Sequence, residues 1–225
     1  MFRVKICGLR DLEELNAVLA SEADAIGLNF YSRSKRHVSI EAAQVLSEAA
    51  EGKCLRVGLF VNSPVESVEE VCRQVPVDVI QAHGDENAAW FRQARKLQKL
   101  LLRAVRSPQS AADLLKVIES IPPNGGLYDA LLIDGLALGS SGSGPIYGGS
   151  GTTANWRAIR EIRDSITVPL ILAGGLTPEN VVEAIAIVRP DGVDVAGGVE
   201  NLSGGKDANK VAAFARAARQ ALSTH

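Results

Sequence analysis

Val4-Lys5-Ile6-Cys7-Gly8 joins alternating apolar residues to a thiol and then a turn residue, the pattern of a short β-strand that ends on chemistry. Phe2, Val4 and Ile6 are expected on one side of it and Arg3, Lys5 and Cys7 on the other, because successive strand side chains alternate between faces. Seven more short apolar runs follow, at Ala25–Asn29, Leu55–Val61, Val77–Gln81, Leu101–Val105, Ala130–Ile133, Val168–Leu172 and Val193–Val195. A segment of helical periodicity follows each of them. Caps are expected at Ser39 before Ile40, Ser63 before Pro64, Asp85 before Glu86 and Thr177 before Pro178, and the last segment, Asp207 to about Leu222, is alanine-rich and strongly helical.

Strands separated by helices pair in parallel, since a parallel connection needs a crossover of a dozen or more residues. Eight β/α units in 225 residues predict a closed (β/α)8 TIM barrel forming a single domain over 1–225. An open doubly wound sheet would use fewer strands and a glycine-rich turn after the first. Here the glycines cluster after the last three strands. No internal repeat is visible by direct reading.

A chain that is 46% hydrophobic and 22% charged has ample material for one core. Its net charge of -2 offers no field to gather nucleic acid, and no run approaches the roughly 18 apolar residues of a membrane span. Neither nucleic acid nor membrane is an expected partner, and with no signal segment before the first strand a cytoplasmic address is expected. Cys7, Cys54 and Cys72 are too few and too irregularly spaced for a disulfide framework, and Cys54 and Cys72 read as packing residues. His37, His83 and His225 are scattered without ligand spacing, so no metal site is expected.

In a barrel the C-terminal strand ends meet at one rim, where chemistry is carried. The rim residues in chain order are Cys7, then Arg33, Lys35, Arg36 and His37, then His83 and Asp134. After them come Gly148-Gly149-Ser150-Gly151-Thr152, Gly174-Gly175 and Gly197-Gly198, whose bare N–H groups suit a phosphate. Taken singly, each has a plainer role: Cys7 as buried packing, Asp134 as a turn residue, Arg36 as part of a solvated basic loop. Asp194 points opposite to Val193 and Val195, into the mouth, with Lys5 as an ion-pair partner. Taken together, a thiol that nearby cations would favour as thiolate and a proton-donating carboxyl are the parts of an acid-base isomerase. The stretch Gly139-Ser140-Ser141-Gly142-Ser143-Gly144-Pro145 reads as a mobile surface loop, a lid at the same end as Cys7.

These residues fall into ordered motifs: Lys5-Ile6-Cys7-Gly8, Ser34-Lys35-Arg36-His37-Val38-Ser39, Gly58-Leu59-Phe60-Val61-Asn62, Gln81-Ala82-His83-Gly84-Asp85-Glu86, Leu132-Ile133-Asp134, Gly148-Gly149-Ser150-Gly151, Leu172-Ala173-Gly174-Gly175-Leu176 and Asp194-Val195-Ala196-Gly197-Gly198-Val199-Glu200. Over essentially the whole chain the sequence resembles the phosphoribosylanthranilate isomerase family of tryptophan biosynthesis. The resemblance implies an Amadori rearrangement of a small phosphorylated substrate, without cofactor or metal, by a monomer or homodimer. It puts the general base on Cys7 and the general acid on Asp134. It puts the anthranilate-carboxylate anchor on Arg36, the phosphate turns on Gly174, Gly175, Gly197 and Gly198, and a substrate-contacting acid on Asp194. Ala196-Gly197 replaces a serine pair of the family pattern, and Lys35 stands where proline is frequent. Indole-3-glycerol phosphate synthase and the triosephosphate type of isomerase need other acids and bases, and the synthase also an N-terminal extension. A non-catalytic phosphate-sensing barrel is disfavoured by the joint presence of Cys7, Asp134 and Arg36.

Overall fold

Strand β1 (Val4–Cys7) pairs in parallel with β2 (Ala25–Asn29) on one side and with β8 (Gly192–Val195) on the other, Lys5 standing opposite both Ala25 and Asp194. Between them β3 (Leu55–Phe60), β4 (Val79–Ala82), β5 (Leu100–Arg106), β6 (Ala130–Asp134) and β7 (Leu170–Leu172) follow in chain order and close the barrel. The computed structural model describes residues 1–108, 110–121, 125–135 and 154–224. The expected loop at 139 to 145 and the glycines at 148, 149 and 151 lie outside them.

Among the described residues eight α-helices alternate with the strands: α1 (Leu12–Leu19), α2 (Ile40–Ala49), α3 (Val65–Gln74), α4 (Ala88–Ala94), α5 (Ala111–Glu119), α6 (Trp156–Ile162), α7 (Val181–Val188) and α8 (Ala208–Leu222). Strand alternation sorts the apolar side chains into two layers. Val4, Ile6, Leu131, Ile133, Val193 and Val195 pack outward with the helices. Ala25, Val57, Val79, Leu102, Ala130, Leu132 and Ile171 fill the barrel interior. Among the described residues no helix is long and apolar enough to cross a membrane.

The structure corrects several local expectations. Phe2 does not share the side of Val4 and Ile6; it joins the interior cluster, and Arg3 donates to the Leu222 carbonyl at the end of α8. The reason is that the strand begins only at Val4, so alternation does not extend back to residue 2. Ser39 caps α2 as expected, accepting from the Ala42 N–H. Ser63 does not cap α3, because Pro64 takes the cap position with no side-chain bond. Asn87 rather than Asp85 caps α4, Asp85 being drawn into an ion pair with Arg106 at 3.1 Å. Thr177 and Asn180 close a turn on themselves, and α7 starts only at Val181.

A recurrence of contacts appears at the N-terminal strand ends. Asp24 accepts the Arg3 and Val4 N–H groups, Asp78 the Arg56 N–H, Asp129 the Leu101 N–H and Asp191 the Leu170 N–H. Each aspartate directly precedes an even-numbered strand and ties down the entry of the odd-numbered strand before it. Each also meets an arginine: Arg219, Arg56, Arg95 and Arg163 respectively. Each is followed by Ala, Val or Gly and then by Ile, Leu or Val, as in Asp24-Ala25-Ile26 and Asp78-Val79-Ile80. Asp129→Ala strips a carboxylate that takes the Leu101 N–H at 2.7 Å and Arg95 Nη1 at 2.8 Å. It is expected to lower the unfolding free energy by about 1–3 kcal/mol without touching the opposite rim. Urea unfolding checks this, and an unchanged midpoint would sink the assignment.

Candidate active site

Above the apolar interior the inward positions turn polar. Lys5 on β1 has no exposed surface, and its ammonium lies 2.9 Å from Asp194 Oδ2 on β8 and 2.8 Å from Gln81 Oε1 on β4. Gln81 Nε2 meets His83 Nδ1 at 2.7 Å, and His83 Nε2 meets Asp134 Oδ2 at 3.2 Å. A continuous polar line therefore runs across the barrel from β8 through β1 and β4 to β6. The ion pair foreseen for Lys5 and Asp194 is present. Among the described residues, Asp194 Oδ1 is buried with no hydrogen-bond donor.

Cys7, Asp134 and Asp194 line one cavity together with Asn29, Arg36 and His83. The Cys7 thiol is pushed up, first by burial. Lys5, Lys206 and Arg36 pull it down, while Asp194 adds to the rise. The expected cations are thus present, but burial outweighs them and the thiol form is favoured. Lys5 is raised: burial opposes its charge, yet Asp194 and Cys7 more than compensate.

Of the basic run after β2, Arg33, Lys35 and His37 are exposed and only Arg36 turns inward. Its stem lies over Gly8, where a Cβ would come within 2.6 Å of Arg36 Cδ and where φ is +83, a conformation L side chains rarely adopt. The guanidinium grips Glu200 through Nε and Nη2, the latter at 3.0 Å from Oε2. That uses the side edge of the fork and leaves Nη1 and the outer hydrogen of Nη2 unused by the pair. Lys206 holds the same carboxylate from behind, its Nζ 3.1 Å from Glu200 Oε1 and 3.1 Å from the Ala196 carbonyl. Burial alone would raise the Glu200 carboxyl, but Arg36 and Lys206 together hold it below the usual carboxylate range.

The turns Gly174-Gly175 after β7 and Gly197-Gly198 after β8 sit side by side on the cavity wall. A Cβ at Gly198 would lie 1.8 Å from the Leu176 carbonyl oxygen, so only glycine lets the two turns approach this closely. A short 3-10 turn begins at Gly197.

Residues 4–217 match the N-(5'phosphoribosyl)anthranilate (PRA) isomerase family. The N-(5'-phosphoribosyl)anthranilate isomerase of Dechloromonas aromatica is 40% identical over 219 residues, covering 97% of each chain. The chain belongs to the phosphoribosylanthranilate isomerase family. Membership makes it an enzyme of the isomerase class, as its motifs implied. The phosphoribosylanthranilate isomerase structure from Thermotoga maritima superposes with a TM-score of 0.83 at 36% identity, over 98% of this chain and all 100% of that one. A phosphoribosylanthranilate isomerase solved in complex with reduced 1-(o-carboxyphenylamino)-1-deoxyribulose 5-phosphate is similar with a TM-score of 0.80 at 33% identity, over 98% of this chain and 100% of that one.

Cys7, Arg36, Asp134, Gly174, Gly175, Asp194, Gly197 and Gly198, all singled out by sequence, come together around one cavity. Sequence reasoning missed the supporting set: Gln81, Glu200 and Lys206. Gln81 carried a usable signal, since it lies two residues before His83 and so shares its face at the strand end. Glu200 closes the motif after β8, which gave no hint of its contact with Arg36, and Lys206 carried no signal, because only the turn after β8 brings the two beneath Arg36.

Cys54 and Cys72 each have a thiol pushed up to about 11, mainly by burial. At pH 8 each is expected to react with a disulfide reagent roughly a hundredfold more slowly in native protein than after unfolding. Absorbance-monitored thiol titration checks this. Immediate reaction of all three thiols in native protein would contradict the burial seen here.

Proposed function

We propose that the chain is an N-(5'-phosphoribosyl)anthranilate isomerase of tryptophan biosynthesis, with Asp134 as general acid and Cys7 as general base. The observation carrying this reading is that the two residues, from β6 and β1, line the same cavity with Arg36, Asp194 and both glycine turns. In the proposed reaction Asp134 gives its proton to the ribose ring oxygen. The C1–O bond breaks as the anthranilate nitrogen lone pair forms the C1=N bond of a Schiff base. Cys7 thiolate then removes the proton from C2, and the electron pair of that C–H bond forms the C1=C2 bond of an enolamine. Proton transfer to C1 yields the 2-ketone. No cofactor or metal enters any step of this proposal.

The compound bound to the related isomerase carries a carboxylate, a phosphate and hydroxyl groups. Each has a counterpart in this reading. The carboxylate meets the Nη1 and Nη2 end of Arg36, whose other edge Glu200 keeps fixed. The phosphate meets the backbone N–H groups of Gly174, Gly175, Gly197 and Gly198, without the hydroxyls that a serine pair would add. A sugar hydroxyl donates to Asp194 Oδ1, the buried acceptor that lacks a donor among the described residues. A cytoplasmic monomer or homodimer completes the proposal.

Cys7→Ser and Asp134→Asn are each expected to cut kcat by about 10²–10⁴-fold with the fold kept, whereas Arg36→Ala mainly raises KM. Steady-state kinetics on phosphoribosylanthranilate without added metal, with circular dichroism for the fold, tests all three. Full turnover in either of the first two variants ends the acid-base assignment. An unchanged KM in the third moves the carboxylate anchor elsewhere.

The pH profile follows from the direction of the Cys7 shift. The active base is the thiolate, and burial moves its formation to higher pH than for an ordinary thiol. The ultraviolet absorbance of the Cys7 thiolate, taken as wild type minus Cys7→Ser, is therefore expected to be still rising at about pH 8.5, the usual thiol midpoint. A difference absorbance that has levelled off below about pH 7 would speak against the burial that raises this thiol.

A further inference from the structure

The mechanism above makes no use of Lys5, Gln81 or His83, yet all three are buried and joined in one line to the proposed acid. Hydrogen-bond polarity can be followed along that line. A lysine ammonium has three hydrogens to give and no lone pair to receive. The group that Gln81 turns toward Lys5 Nζ must then be its carbonyl oxygen, at 2.8 Å. Its NH2 consequently faces His83 Nδ1 at 2.7 Å, and a donor there requires Nδ1 to present its lone pair. The ring hydrogen sits on Nε2, directed at Asp134 Oδ2 at 3.2 Å. Turning the Gln81 amide over would set its NH2 against the Lys5 ammonium. Asp194, at 2.9 Å from Lys5, keeps that ammonium charged.

We propose that Gln81, oriented by the Lys5 ammonium, fixes His83 as its Nε2–H tautomer and so makes His83 a positioning residue for the Asp134 carboxyl. The proposal rests on the reading of Asp134 as the general acid. With Oδ2 taking the His83 hydrogen and Oδ1 taking the Gly135 N–H at 2.8 Å, rotation of the carboxyl is fixed from both sides. His83 Nε2 already carries a hydrogen and cannot take another from Asp134. A proton on Asp134 is therefore reserved for the substrate. Gln81 within β4 and His83 just past its end stand two apart with their side chains bonded to each other, so a single strand end supplies both parts of the device.

Protein labelled with 15N in its histidine rings tests this by long-range 1H–15N correlation, the His83 signals being those lost in His83→Asn. Wild-type His83 is expected to show an unprotonated Nδ1 and a protonated Nε2. Gln81→Met, which offers no donor to His83 and only a weak thioether acceptor to Lys5, is expected to mix the tautomers and to lower kcat roughly ten- to a hundredfold, with KM within about twofold of wild type. A wild-type ring with its hydrogen on Nδ1 would overturn the relay. So would wild-type kcat in a Gln81→Met protein whose ring has lost its fixed tautomer. Unimpaired Asp134→Asn would overturn the positioning role through the reading of Asp134, and the ring spectrum separates that failure from failure of the relay itself.

Discussion

A lysine ammonium with no exposed surface stands inside the barrel, and the groups that neutralise it organise the whole upper half. A buried charge without a partner costs several kcal/mol, so Lys5 requires an acid and further acceptors at close range. Asp194 supplies the acid across the seam where the first and last strands meet, and Gln81 reaches over from β4. The pairing therefore joins strands that neighbour in the ring but are far apart in the chain. It also leaves one Asp194 oxygen aimed at nothing among the described residues, in the wall of the cavity.

The two ends of the strands divide the work. At the entry end, four aspartates tie each odd strand to the even strand that follows, through backbone N–H groups and nearby arginines. At the exit end stand the thiol, the carboxyl, the arginine and the glycine turns. Phe2 and a set of alanine, valine, leucine and isoleucine side chains fill the space between. That apolar layer keeps water from running through the barrel and lets the exit end hold charges in a setting of low polarity, where they act on one another strongly.

The charges around Cys7 compete rather than add. Burial and Asp194 favour the thiol, while Lys5, Lys206 and Arg36 favour the thiolate. Two of those cations are themselves committed to Glu200, which lies between them. Their pull on the sulfur is weakened accordingly, which is why a basic rim does not by itself make a reactive cysteine. The same Glu200 that restrains the electrostatics also fixes the direction of the Arg36 fork.

Eight alternating apolar runs and helical segments, with glycines concentrated after the last three strands, were enough to determine the barrel and to set Cys7, Asp134, Arg36 and Asp194 at its mouth. Strand periodicity is local physics, and a closed parallel ring then fixes which strand ends share a rim. The tertiary structure alone decided that Phe2 plugs the interior, that Asn87 displaces Asp85 as a cap, and that Glu200 and Lys206 stand beneath Arg36. It alone decided the sign of the Cys7 shift as well. Those outcomes depend on contacts between residues far apart in the chain, such as Arg36 and Glu200, 164 positions apart, and on burial, which no local pattern specifies.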